Sequence, residues 1–275
     1  LHRNFAPSKP GRSRSLAVSI KYCGQVSPKT LRPRFCARRI SSAASAPGSP
    51  RRGISVAVTR VMTTGPSLAR QKMLPFVTGR MGHDERTASL LNRIAGRHIN
   101  YAFEGYGDIQ GEPALRAAIV AHLAVSRGVR CTAEQVFITA GTQQALDLAF
   151  RVLASPGDRV VVEDPCYPPA RQCLAFNGAS IVGLPVDHEG IMTAPLQAEG
   201  FAPPALFYVT PSNQYPVGAV LSLPRRLELL AYAREHGSWI VEDDYDSEFR
   251  YDGHPIASLQ GLDQASRVLY TGTFS

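Results

Sequence analysis

The chain has 275 residues, 44% hydrophobic and 19% charged, which is enough apolar material for one large domain or two small ones. No apolar run approaches the roughly 18 residues needed to cross a bilayer, so a membrane span is excluded. The net charge of +8 is uneven: the first 83 residues hold 16 of the 30 Lys and Arg and none of the 22 Asp and Glu, so the remainder is acidic.

Residues 1–72 are rich in Arg, Ser, Ala and Pro, with no sustained helical or alternating period, and are expected to be an unstructured basic leader. Three readings stay open for it: a transit-like leader, a nucleic-acid-binding arm, or upstream sequence outside the domain, the chain beginning at Leu1. All four lysines, Lys9, Lys21, Lys29 and Lys72, lie there. Five cysteines (Cys23, Cys36, Cys131, Cys166, Cys173) form no CxxC pair, which fits a reducing compartment better than a disulfide scaffold or zinc ribbon.

The texture changes near Leu74, and residues 73–275 are expected to form one domain. Leu115, Ala118, Ile119 and Leu123 recur at helical spacing within Glu112–Arg127, with Gly128 as the stop. A short strand at Val136–Thr139 leads through Gly141-Thr142 into a helix with apolar positions Ala145, Leu146, Ala149, Phe150 and Leu153. A turn at Pro156-Gly157-Asp158 precedes a strand at Arg159–Glu163, and a helix at Pro169–Phe176 precedes strands at Ile181–Val186 and Leu206–Thr210. A helix at Pro224–His236 and strands at Trp239–Glu242 and Val268–Thr271 complete the series. Strands alternating with helices predict a three-layer α/β/α domain with a mainly parallel sheet, whose ligands bind at the carboxyl ends of the strands.

Three strand ends carry groups that suit one ligand. Thr139–Gln143 joins a strand to a helix, so its free backbone N–H groups and helix dipole favour a phosphate. Glu163-Asp164-Pro165-Cys166-Tyr167-Pro168 sets a proline-bracketed aromatic just past a strand. Glu242-Asp243-Asp244-Tyr245-Asp246-Ser247-Glu248 crowds carboxylates that repel one another unless a cation or cationic ring joins them. A calcium loop over Asp244, Asp246 and Glu248 fails, because Phe249 stands where Gly is needed and Pro255 where the bidentate Glu belongs. There is no GxSxG, HExxH or Walker lysine motif, and no metal is expected.

These segments, with Tyr106–Arg116, Ser126–Val129 and Thr210–Gly218, resemble the pyridoxal 5'-phosphate (PLP)-dependent aminotransferases of classes I and II. The likeness is strongest to the aminotransferase-like domain of MocR-type regulators in the GntR family, and it spans about Leu74 to Ser275. It implies PLP as cofactor, with Gly141, Thr142 and Gln143 at the phosphate and Tyr167 stacked on the ring. It implies that Asn213 and Tyr245 bond the ring hydroxyl, and that Asp243 pairs with the pyridinium nitrogen. Tyr106 corresponds to a tyrosine reaching the phosphate of a neighbouring subunit, which implies a homodimer; Arg171 is a candidate for a substrate carboxylate.

After Gly272, Thr273-Phe274-Ser275 resembles the tripeptide, with Thr273 at the cofactor, that precedes the PLP-bearing lysine in the family. That lysine is expected directly after Ser275, and no lysine follows Lys72, so the chain is expected to be a fragment without catalytic residues of its own. The small C-terminal domain and the N-terminal winged helix of the regulators are likewise expected to lie outside this sequence. The resemblance implies a cytoplasmic protein acting on an amino acid and a 2-oxo acid. The alternative is an effector domain that senses PLP or an amine, with DNA reached only through a separate N-terminal domain. An inactive truncated fragment is the third reading.

Overall fold

A computed structural model of the chain describes residues 16–19, 84–98, 107–248 and 257–273. By internal contacts the chain divides into two compact units, residues 1–25 with 104–275, and residues 26–103.

In the smaller unit, helix α1 spans Glu85–His98 and buries none of its side chains. Asp84 starts it, with Oδ1 accepting from Thr87 N–H at 2.6 Å, an N-terminal cap.

The larger unit begins with strand β1, Leu16–Ser19, which pairs in parallel with β2, Val136–Thr139. This strand lies inside the segment expected to be unstructured; four residues are too few to show a period, yet Leu-Ala-Val-Ser offers a run suited to a pleated edge. Helices α2 (Pro113–Ser126), α3 (Thr142–Leu153), α4 (Pro168–Phe176), α5 (Leu223–His236) and α6 (Leu259–Leu262) alternate with the remaining strands. These are β3 (Arg159–Asp164), β4 (Ser180–Asp187), β5 (Gly190–Ile191), β6 (Leu206–Val209), β7 (Trp239–Asp244) and β8 (Val268–Gly272). They form a six-stranded sheet in the order β5-β4-β3-β6-β7-β8, parallel except for the β4–β5 hairpin.

Apolar layers cover both faces. On one, Val160, Val162, Leu206, Tyr208 and Val241 pack against Leu146, Ala149 and Phe150 of α3 and Ala170, Cys173 and Leu174 of α4. Phe150 meets Tyr208 edge-on at 5.9 Å, and burying a side chain of this size contributes about 1.5–3 kcal/mol. On the other face, Val161, Phe207, Val209 and Ile240 meet Leu229, Tyr232 and Ala233 of α5. The three-layer arrangement follows from the unbroken apolar runs of β3 and β6, which bury both faces of the strand.

Helix α2 departs from its expected face. Arg116, Ile119 and Leu123 are buried while Leu115 is exposed. Arg116 decides the rotation: its guanidinium donates to Asp108 Oδ2 (2.8 Å), Gln110 Oε1 (2.9 Å) and the carbonyls of Ala133 (3.0 Å) and Gly111 (3.1 Å). An arginine so satisfied is buried at little cost, and apolar spacing alone does not reveal it.

Candidate functional site

Strands β3, β6, β7 and β8 run parallel, so their carboxyl ends bring Glu163, Thr210, Glu242–Asp244 and Thr271 to one edge of the sheet. Along β7 successive side chains alternate between faces, and this sorts its three acids. Glu242 accepts the N–H groups of Leu259 (2.9 Å) and Gln260 (3.0 Å) at the start of α6. Asp244 Oδ2 accepts from Arg127 Nε at 2.8 Å and from the Tyr270 hydroxyl at 2.6 Å, while Arg127 also donates to Ser212.

Asp243 points to the α3 and α4 side with Val241. Its Oδ2 accepts from the Tyr208 hydroxyl at 2.8 Å and its Oδ1 from the Thr271 hydroxyl at 3.2 Å. It is 4% exposed and has no cationic partner among the described residues. Burial pushes its carboxyl up to about 6, against the lowering effect of the two hydroxyls. The expected repulsion within the acidic run is thus relieved at Glu242 by a helix start and at Asp244 by a guanidinium, and at Asp243 only by neutral donors.

Glu163, 1% exposed, has a comparable setting. Its Oε2 accepts from Thr210 N (3.2 Å), Thr210 Oγ1 (2.6 Å) and Gln214 Nε2 (3.3 Å), while its buried Oε1 has no partner. Burial pushes this carboxyl up to about 7.

Tyr167 and Tyr245 lie by Asp243. The Tyr167 hydroxyl is raised by burial, then by the charge of Asp243; that of Tyr245 is raised by burial, then by Asp246 and Asp243. Tyr215 sits between them, edge-on to Tyr167 at 5.3 Å and to Tyr245 at 6.3 Å. Gly141 precedes α3 at φ 123° and ψ 170°, a conformation open essentially to glycine alone, and no atom lies within 4 Å of where a Cβ would stand. The first N–H groups of α3, those of Thr142 and Gln143, have no intrahelical acceptor. Gln143 Nε2 reaches Pro169 O at 3.5 Å, which sets this turn beside the loop carrying Tyr167.

The other expected positions make contacts of their own. Asn213 Nδ2 donates to Asp246 Oδ2 at 2.7 Å. Arg171 is exposed in the first turn of α4 and bonds Cys166, whose thiol is raised chiefly by burial. Thr273 follows β8, two residues beyond Thr271. Tyr106, Phe274 and Ser275 lie outside the described residues. Sequence reasoning missed Tyr208 and Thr271, because strand register decides which hydroxyls meet Asp243. It also missed the Arg127–Asp244 pair, which spans 117 residues of chain.

A family model for aminotransferases of classes I and II matches residues 72–275. The chain belongs to this family. It is 45% identical over 186 residues to a probable rhizopine catabolism regulatory protein, MocR, of Rhizobium meliloti, covering 66% of this chain and 37% of that protein. It is 32% identical over 198 residues to aromatic-amino-acid aminotransferase 1 of Thermococcus litoralis, covering 70% and 47%. Among solved structures, a Pyrococcus horikoshii kynurenine aminotransferase in complex with PMP superposes with a TM-score of 0.60 at 33% identity, covering 68% of this chain and 48% of that one. The α-aminoadipate aminotransferase LysN of Thermus thermophilus, complexed with N-(5'-phosphopyridoxyl)-L-leucine, gives 0.60 at 32%, covering 70% and 48%. The chain thus spans between a third and a half of the length of these relatives. Family membership and these phosphopyridoxyl-bearing neighbours imply PLP as the cofactor. The residues fit it: a buried carboxylate without a cation suits a pyridinium, and a glycine-opened helix start suits a phosphate. Among the described residues no group of side chains is arranged to hold a metal, and no helix is long and apolar enough to cross a membrane.

Proposed function

We propose that residues 104–275 form the cofactor-holding part of a PLP-dependent aminotransferase-like protein, the parent acting on an amino acid and a 2-oxo acid. The observation that carries this reading is Asp243, buried, without a cation and raised to about 6, beside Tyr167 and Tyr245. When bound, PLP supplies an electron sink for charge developing at the α-carbon of an amino acid. Asp243 holds the ring nitrogen's proton by a charge-assisted bond, and the Tyr208 and Thr271 hydroxyls fix its two oxygens in place. The Tyr167 ring offers an apolar face to the heterocycle, and the Tyr245 hydroxyl a donor to its oxygen. Thr142 and Gln143 offer backbone donors to the phosphate, which the absence of a side chain at Gly141 lets approach closely.

A second reading, an effector domain of a transcriptional regulator, is supported by the 45% identity to MocR and 46% to the HTH-type regulator YdeL of Bacillus subtilis. In that reading the ligand is an amine or PLP, and DNA is contacted through a separate domain. A homodimer sharing Tyr106 across its interface and a cytoplasmic location belong to both readings. The test is binding of 4-deoxypyridoxine 5'-phosphate, which has the ring, hydroxyl and phosphate but no aldehyde to react with Lys9, Lys21, Lys29 or Lys72. Saturable binding, weakened about 10- to 100-fold in Asp243→Asn, is expected; failure of the wild-type chain to bind would refute the cofactor reading. The coding DNA flanking this chain separates the two readings, a helix–turn–helix upstream being expected only for the regulator.

A further inference from the structure

The buried acid Glu163 takes no part in the chemistry proposed above, yet three donors converge on one of its oxygens. Two of the residues that supply them, Thr210 and Gln214, fix a third by its backbone. Tyr215 N–H donates to Thr210 Oγ1 at 3.1 Å, and Gln214 Nε2 donates to Tyr215 O at 2.7 Å. Gln214 Nε2 also donates to Pro165 O at 2.7 Å, which ties this loop to the one carrying Tyr167. A buried carboxyl held only by neutral donors costs stability, so what it orders is a guide to its use.

What it orders is the Tyr215 ring, half-buried and edge-on to both Tyr167 and Tyr245 at interplanar angles of 77° and 73°. Among the described residues the hydrogen bonds of Tyr215 are made by its backbone, and its hydroxyl has no partner. Asn213 differs on each count. Its amide nitrogen is engaged by Asp246 Oδ2 at 2.7 Å.

Resting on the PLP reading, we propose that Tyr215, and not Asn213, is the residue through which this loop contacts the ligand, its hydroxyl donating to the oxygen on the pyridine ring. Glu163, Thr210 and Gln214 are then positioning residues that set the phenol at the ring's edge. The ligand class is a protonated hydroxypyridine phosphate, recognised by Asp243 at its nitrogen and by two phenols, Tyr215 and Tyr245, at its oxygen.

The experiment measures the dissociation constant of 4-deoxypyridoxine 5'-phosphate for the full chain and for Tyr215→Phe, Asn213→Ala and Asp243→Asn. Tyr215→Phe should bind about three- to tenfold more weakly, the worth of one neutral hydrogen bond, with an unchanged melting temperature. Asn213→Ala should lose less than Tyr215→Phe. With an analogue lacking the ring hydroxyl, wild type and Tyr215→Phe should bind alike, a result that a purely structural role for the phenol would not produce. A larger loss in Asn213→Ala than in Tyr215→Phe, or a gap that persists with the hydroxyl-less analogue, would overturn the proposal. Equal binding by wild type and Asp243→Asn would instead overturn the cofactor reading on which it rests.

Discussion

Replacing Asp243 by Asn should move stability and ligand binding in opposite directions. In the ligand-free chain the carboxyl is raised from its ordinary 3.8 to about 6, and such a rise corresponds to about 3 kcal/mol of disfavoured ionisation. The folded state holds its proton to higher pH than the unfolded state does. Stability from this group is therefore full below pH 3.8 and lost as pH rises through about 6. At pH 7.5 the neutral amide avoids that cost, but one of the two hydroxyls, Tyr208 or Thr271, must turn to accept from its nitrogen. A lost or weakened hydrogen bond costs about 0.5–1.5 kcal/mol, so Asp243→Asn should be more stable by roughly 1.5–2.5 kcal/mol at pH 7.5 and gain little at pH 4. Its affinity for 4-deoxypyridoxine 5'-phosphate should fall by about 10- to 100-fold, the worth of a charge-assisted bond. Urea denaturation at the two pH values and a binding titration measure both quantities. A variant that loses stability at pH 7.5 and keeps its affinity would show that Asp243 is a structural acid and not a ligand-facing one.

Glu163 and Glu242, both raised from an ordinary 4.5 to about 7 by burial, act in the same sense. Stability in urea should decline from pH 5 to 7.5 and level off above, and a rise over that interval would contradict their placement. Arg127→Leu should cost about 3–5 kcal/mol by leaving Asp244 buried and unpaired, and adding Asp244→Leu should recover part of it, as denaturation midpoints of the three variants will report. Gly141→Val, at φ 123°, should cost about 1–3 kcal/mol of strain and abolish phosphate-dependent ligand affinity, whereas Thr142→Ala should lower affinity by no more than about 0.5–1.5 kcal/mol; equal effects would argue against close backbone approach.

The elements that follow from local chemistry are those the sequence makes legible. β2 and α3 lie where Val136–Thr139 and the Gly141-Thr142 step place them, and α5 runs into Gly237 at φ 71°, the left-handed stop after its last turn. Elements of two to four residues, β1, β5 and α6, carry too little pattern to register. The rotated face of α2 was hidden because Arg116 looks like a surface residue until its acceptors on Asp108, Gln110, Gly111 and Ala133 are assembled. The site divides along the same line. Asp243, Tyr167, Tyr245 and the Gly141 turn sit next to strand ends and can be picked out by position. The hydroxyls of Tyr208 and Thr271 reach Asp243 only through pairing of β6 and β8 with β7, and no one-dimensional pattern encodes that register.

The sorting of three consecutive acids along β7 makes that strand intolerant of a change in length. Each acid's fate depends on whether its distance from the apolar anchors Ile240 and Val241 is odd or even. Losing Ile240 would move Asp244 into the place of Asp243, facing Tyr208, Asp243 into the place of Glu242 at the start of α6, and Tyr245 into the place of Asp244, so the buried Arg127 guanidinium would lose its carboxylate. Composition would be almost unchanged and the strand would still form, but Glu242 would fall in the place of Val241, inside the apolar layer against α3 and α4. Substitution scans and length scans across Trp239–Asp244 should therefore give different maps: single apolar replacements graded in severity, single deletions uniformly severe.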